Sequence, residues 1–148
     1  MRPINIDEAR RELESYRFTE CTIRNGEQPI RDYREQANKL VATYELIEGS
    51  SGGGKNDRLA NYAIKAAEEE MKKIDELNAL REKNATIRRV VMNRMFGKYQ
   101  MLLAETYFYG MSMDEVQREV GGDIKHLYYE RNKAVKIYAR LRENDKTS

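Results

Sequence analysis

Apolar residues recur along most of this chain at steps of three and four, which is the spacing that lays one stripe down an α-helix. The first stripe holds Ile6, Ala9, Leu13, Tyr16 and Ile23, with Glu20 in the remaining seam position. Asn25 and Gly26 then give a stop signal, and Pro29 lacks an amide and is comfortable only in a first turn, so a break or kink is expected there. A second helix is predicted from near Pro29, where Ile30, Tyr33, Ala37, Leu40, Tyr44 and Ile47 keep a heptad rhythm suited to a seam against another helix. Residues 49–55, GSSGGGK, read as a flexible connection. Asn56 or Asp57 would cap the next helix, running through Leu59, Ala63, Ala67, Met71, Ile74 and Leu77 to about Arg81 and folding back antiparallel on the preceding one. Over 84–97, Ile87, Val90, Val91, Met95 and Phe96 form an apolar face opposite Arg88, Arg89 and Arg94. Gly97 breaks that pattern. A further helix over 99–109 offers Leu102, Leu103, Thr106, Tyr107 and Phe108 to a core.

The stretch 107–139 carries the sharpest local signals. Gly110 is followed by Ser112, whose hydroxyl can accept from an unpaired amide of a new helix, with Glu115 three residues on to complete a capping box. A short helix should start at about Met113 and end at Gly121 and Gly122, and Asp123 should cap its successor. Helix, tight Gly-containing turn and helix describe a helix-turn-helix. Its second member, predicted over about 124–142, carries Lys125, Arg131, Lys133, Lys136, Arg140 and Arg142 against Glu130 alone. The fold class expected is therefore all-α: an N-terminal antiparallel, coiled-coil-like helical hairpin over 1–83, then a helix-turn-helix domain over 84–148.

Charge narrows the function classes. Lys and Arg exceed Asp and Glu by only +2, so nucleic-acid affinity would have to come from local asymmetry rather than from a polybasic whole. That asymmetry exists, because Arg88, Arg89, Arg94 and Lys98 occupy an acid-free stretch while Glu68, Glu69, Glu70, Asp75 and Glu76 crowd the middle. A single cysteine, Cys21, excludes an internal disulfide, and no Cys or His cluster has zinc-ligand spacing, so no metal or cofactor is expected. No apolar stretch is long enough to span a bilayer and no secretory leader is recognisable, which points to the cytoplasm and away from a membrane. The GSSGGGK segment fails as a phosphate-cradling loop, since Asn56 stands where the magnesium-binding hydroxyl belongs and no strand precedes it. Paired carboxylates, a nucleophile with its base, and metal clusters are all unplaceable, so an enzyme is not expected. His126, the only histidine, reads as a solvent-facing or DNA-facing side chain.

The run YFYGMSMDEVQREVGGDIKHLYYERNKAVKIY resembles the promoter-reading region four of bacterial sigma factors, and Gly110, Met111, Ser112, Glu115, Val116, Val120, Gly121, Asp123, Leu127 and Ala134 match that pattern. It departs at Gln117, where the pattern has a small residue, and at Glu130, where it has a buried aliphatic; either the helix phase is shifted there or that face is solvated. With the helical hairpin in front, the chain is similar to small phage transcriptional regulators of the RinA and ArpU type. The resemblance implies a sequence-specific late-gene activator that binds double-stranded promoter DNA in the host cytoplasm and acts with RNA polymerase or a sigma factor. DNA contacts would come from Ser112, Ile124, Lys125, His126, Tyr129, Asn132, Lys133 and Lys136, with phosphate contacts from Arg88 and Arg89. Tyr128 is expected to be buried. The hairpin could also mediate a homodimer. Two alternatives stand beside this reading: a small-terminase-like packaging component, and a helical module that binds RNA polymerase or another protein without reading DNA.

Overall fold

The computed structural model describes residues 4–47 and 53–147, and among these every regular element is helical. Helix α1 spans Ile6–Ile47 and α2 spans Gly53–Arg89, continued by a π-helical turn over Val90–Arg94. Helix α3, Gly97–Leu103, likewise runs into a π-helical turn, Ala104–Phe108. Helices α4, Met113–Val120, and α5, Ile124–Thr147, follow. No described helix is long and apolar enough to cross a membrane.

Contacts divide the chain into two compact units, one formed by Met1–Glu20 with Glu82–Ser148 and the other by Cys21–Arg81. The expected division at 83/84 thus lies close to one junction, but the first twenty residues group with the C-terminal segment rather than with the hairpin. The reason is their apolar stripe. Ile4, Ala9, Leu13 and Tyr16 are buried in one core with Ile87, Val90, Val91, Met95, Leu103, Tyr107, Ala134, Val135, Tyr138 and Ala139. Asn5 starts α1, its Oδ1 accepting from the Glu8 amide at 2.7 Å, and Ile4 rather than Ile6 is the buried residue at that end. Asn84 ties α2 to α1: its Nδ2 donates to the Tyr16 carbonyl and to Glu20 Oε1, both at 3.0 Å.

Polar capping explains how α2 can stop abruptly inside this core. A helix leaves its last carbonyls without intrahelical donors. Gln100 supplies one, with Nε2 2.8 Å from the Met92 and Met95 carbonyls and 3.2 Å from that of Val91. Phe96, expected on the apolar face, is instead largely exposed because the chain leaves the helix just before it. Beneath the N-terminus of α1, the hydroxyl of fully buried Tyr138 donates to Glu12, which also accepts from Arg142 Nε at 2.7 Å.

In the Cys21–Arg81 unit, the stop expected at Asn25, Gly26 and Pro29 does not occur; Pro29 lies inside α1. Proline in a helix interior costs about 3 kcal/mol. Ile23 and Ile30 are buried on either side of it, and Gly26 admits the Leu77 side chain so closely that a Cβ there would meet Cδ2 at 2.6 Å. Glu27 pairs with Arg81 at 3.1 Å and Arg34 with Glu70 at 2.5 Å, so residue numbers rise on one segment as they fall on the other. Nor do Asn56 and Asp57 cap α2, which begins at Gly53. Of its predicted stripe, Leu77 is buried and Met71 is exposed. Residues 49–52 of the Gly-rich connection, and the side chains of Tyr33, Ala37, Leu40, Tyr44 and Ile47, lie outside the described residues.

Candidate nucleic-acid interface

Local chemistry builds the α4–α5 pair much as the capping signals predict. The Ser112 Oγ accepts from the Glu115 amide at 3.2 Å. The reciprocal half of a capping box is replaced by a side-chain contact, Ser112 Oγ donating to Glu115 Oε1 at 3.3 Å. Gly121 and Gly122 take φ of 79° and 89°, in the left-handed region that costs a residue with a Cβ about 1–2 kcal/mol. Asp123 then caps α5, accepting from the Lys125 amide at 3.3 Å. Gln117 is no obstacle to this turn: its Nε2 donates to the Gly122 carbonyl at 2.8 Å. Met113, Val116 and Leu127 bury against Leu102, which fixes the two helices on α3.

Helix α5 then sorts its side chains by angle, at about 100° per residue. Leu127, Glu130, Ala134, Val135 and Tyr138 point inward and are buried. Lys125, Tyr129, Asn132, Lys133, Lys136 and Arg140 form the opposite, exposed face, with His126 at its edge. Ile124 departs from expectation: it is half-buried against the Leu102, Met113, Val116 and Leu127 cluster, because the cap turns the first residue of α5 inward. Tyr128, expected to be buried, is 45 % exposed beneath the Arg131 guanidinium at 5.0 Å.

Glu130 fits neither predicted outcome, being neither solvated nor out of phase. It is buried in register, and its carboxylate lies 3.4 Å from Lys98 Nζ and 3.2 Å from His126 Nε2. Burial pushes this carboxyl upward, but hydrogen bonds from Tyr99 and Lys98 and the charges of Lys98 and Lys133 outweigh it and hold the group below its usual value. Since Glu130 is the only acid of 124–142, the exposed face offers cations and neutral donors without a competing carboxylate. Lys133 lies 4.8 Å over the Tyr129 ring, and the phenols of Tyr129 and then Tyr99 raise its ammonium above the ordinary value.

Arg88 and Arg89 stand apart from this face. Arg89 pairs with Asp145 at 2.7 Å, twenty residues along α5 from Lys125, or about 30 Å at the helical rise. Arg94 reaches the same carboxylate at 3.6 Å, and Arg88 hydrogen-bonds Tyr16. Ser112 is exposed but commits its hydroxyl to Glu115. Two neighbours went unrecognised in the sequence. Lys98 is brought in by Glu130, and Arg10 of α1 comes within 3.5 Å of Asn132 Oδ1. No periodicity signals a contact spanning 122 positions. Among the described residues no group of three or more His, Cys, Asp or Glu side chains is placed to hold a metal ion. Comparison with protein-family models, curated proteins and solved structures finds no match to this chain.

Proposed function

We propose that this chain is a sequence-specific DNA-binding transcriptional regulator in which α4 and α5 act as a helix-turn-helix and α5 reads the major groove. The observation that carries the reading is the acid-free, exposed face made by Lys125, Tyr129, Asn132, Lys133, Lys136 and Arg140 along a single helix. A helix about 10–12 Å across fits a groove about 12 Å wide, and base contacts in such proteins come from the first turns. Lys125 is suited to guanine O6 and N7, and Tyr129 to a thymine methyl or a phosphate. Lys133 and Lys136, further along, are suited to phosphates; Ile124 serves the hydrophobic seat of the helix.

The similarity to sigma region four and to RinA- and ArpU-type regulators extends the proposal to a phage late-gene activator working with host RNA polymerase in the bacterial cytoplasm. The Cys21–Arg81 unit is read as an antiparallel helical hairpin available to polymerase, a sigma factor or a second copy. Selection from a random duplex library, followed by binding measured against salt concentration, tests this. Enrichment of one motif with affinity falling steeply as salt rises supports it. Binding without sequence preference by a multi-subunit ring would favour the packaging-component reading, and affinity absent at all salt concentrations would leave only a protein-binding module.

A further inference from the structure

The face of α5 is bordered on both sides by cations that come from other helices. Taking Lys125 as the angular origin, Lys136 and Tyr129 lie within about 40° of it, while Glu130 lies at about 140° in one sense and Asn132 at about 20° in the other. Glu130 holds Lys98, the second residue of α3, at 3.4 Å. Asn132 lies beside Arg10 of α1, whose other neighbour is the exposed carboxylate of Asp7 at 3.8 Å. Lys98 and Arg10 therefore stand on opposite flanks of the same exposed helix face. Both retain contact with solvent, with side chains 47 % and 38 % exposed.

Resting on the reading of α5 as a groove-bound helix, we propose that Lys98 and Arg10 are phosphate-positioning residues that engage opposite strands of the duplex, one on each wall of the groove. A helix in the major groove has a phosphate ridge on either side, and contacts to those ridges fix register and orientation without reading sequence. Buried Glu130 fixes the arrangement: its carboxylate holds the Lys98 ammonium to α5 at 3.4 Å, while the Lys98 side chain as a whole stays 47 % exposed. The Asn132 amide does the same for Arg10 at longer range. The N-terminal segment of α1 thus contributes to the DNA-binding surface as well as to the core, and it does so through a residue more than a hundred positions from the helix it flanks.

The test uses the full chain and a duplex enriched by the wild-type protein. Each of Arg10→Gln and Lys98→Met is expected to lower the slope of log affinity against log salt by about 0.9, weakening binding about eightfold at 0.1 M salt for every sequence alike. Lys98→Arg should restore the wild-type slope. If Lys98→Met alone melts early, Lys98→Met with Glu130→Gln removes both members of the ion pair and serves instead. Methylphosphonate substitution, which neutralises one phosphate at a time, distinguishes the strands. Wild-type protein should lose affinity at a phosphate on each strand, with the loss on one strand vanishing in Arg10→Gln and the loss on the other vanishing in Lys98→Met. Unchanged slopes in both variants, or both losses mapping to one strand, overturn the two-walled clamp while leaving α5 as the reader. Failure of the wild-type protein to bind any duplex overturns the reading of α5 itself, and the clamp with it.

Discussion

Replacing Glu12 tests whether the first turns of the chain are structurally part of the unit that carries α5. Glu12 accepts from the Tyr138 hydroxyl and from Arg142, and the Glu12 and Arg142 side chains are only 16 % and 14 % exposed. Glu12→Ala leaves a phenol and a guanidinium without their acceptor, and breaking one side of a buried pair costs about 3–5 kcal/mol. Tyr138→Phe keeps the ring volume in a fully buried position and removes one donor from a carboxylate that still holds Arg142 at 2.7 Å. Its cost should lie near the lower end of the range for hydrogen bonds to charged groups, about 1.5 kcal/mol. Denaturant unfolding followed by circular dichroism measures both, and the double variant should cost much less than their sum because the two changes remove the same bond. A loss below about 1 kcal/mol for Glu12→Ala is what a solvated surface pair gives, and would refute the reasoning. A pH signature accompanies it. Burial, and then Glu12, raise the Tyr138 phenol above its usual value of 10.0, so the protonated form is favoured in the fold. The stability this contributes is complete below pH 10 and is lost as pH rises beyond it. Tyr138→Phe should remove that share of the decline and leave the share of Tyr16 and Tyr107, whose phenols burial also raises.

Glu105 faces Glu119 of α4, and burial followed by the hydrogen bond and charge of Glu119 raises its carboxyl from 4.5 to about 7. A raised carboxyl stabilises the fold fully below the unfolded value and ceases to as pH climbs through the folded one, so thermal stability should fall between pH 4.5 and 7 and Glu105→Gln should flatten that profile. Leu13→Ala, at a position with no solvent exposure, should cost about 2.7–5 kcal/mol in equilibrium unfolding. Lys136→Ala should weaken all duplexes equally and lower the salt slope by about one, whereas Lys125→Ala should lose about 1–3 kcal/mol at one base position; equal behaviour of the two would reassign Lys125. Deleting residues 1–20 removes Ile4, Ala9, Leu13 and Tyr16 from the core, and the remainder should bind a hydrophobic dye and lose its cooperative transition.

What was legible in the sequence was whatever short-range chemistry decides. Ser112 and Asp123 cap helices because an oxygen two or three residues from an amide needs only local geometry, and Gly121 with Gly122 ends α4 for the same reason. Pro29 shows the opposite: its local cost is real, yet burial around it keeps α1 continuous. Glu130 is misjudged by a periodic pattern, which counts a carboxylate as solvated, whereas Lys98 arrives from another helix to pair with it at 3.4 Å. Arg88 and Arg89 looked like part of one basic surface because the stretch around them lacks acids, but Asp145 and Tyr16 draw them elsewhere. Periodicity finds stripes; it does not say which stripe meets which, and so the partnership of α1 with α5 had no sequence signal.

That partnership sets a timetable for synthesis. Glu12 and Tyr138 are separated by 126 positions, so on the ribosome Glu12 waits for its donor, and the core around Leu13 and Tyr16 stays incomplete, until Tyr138 has emerged. Until that point an interrupted translation product keeps part of its apolar stripe open and would be a candidate for chaperones and proteases.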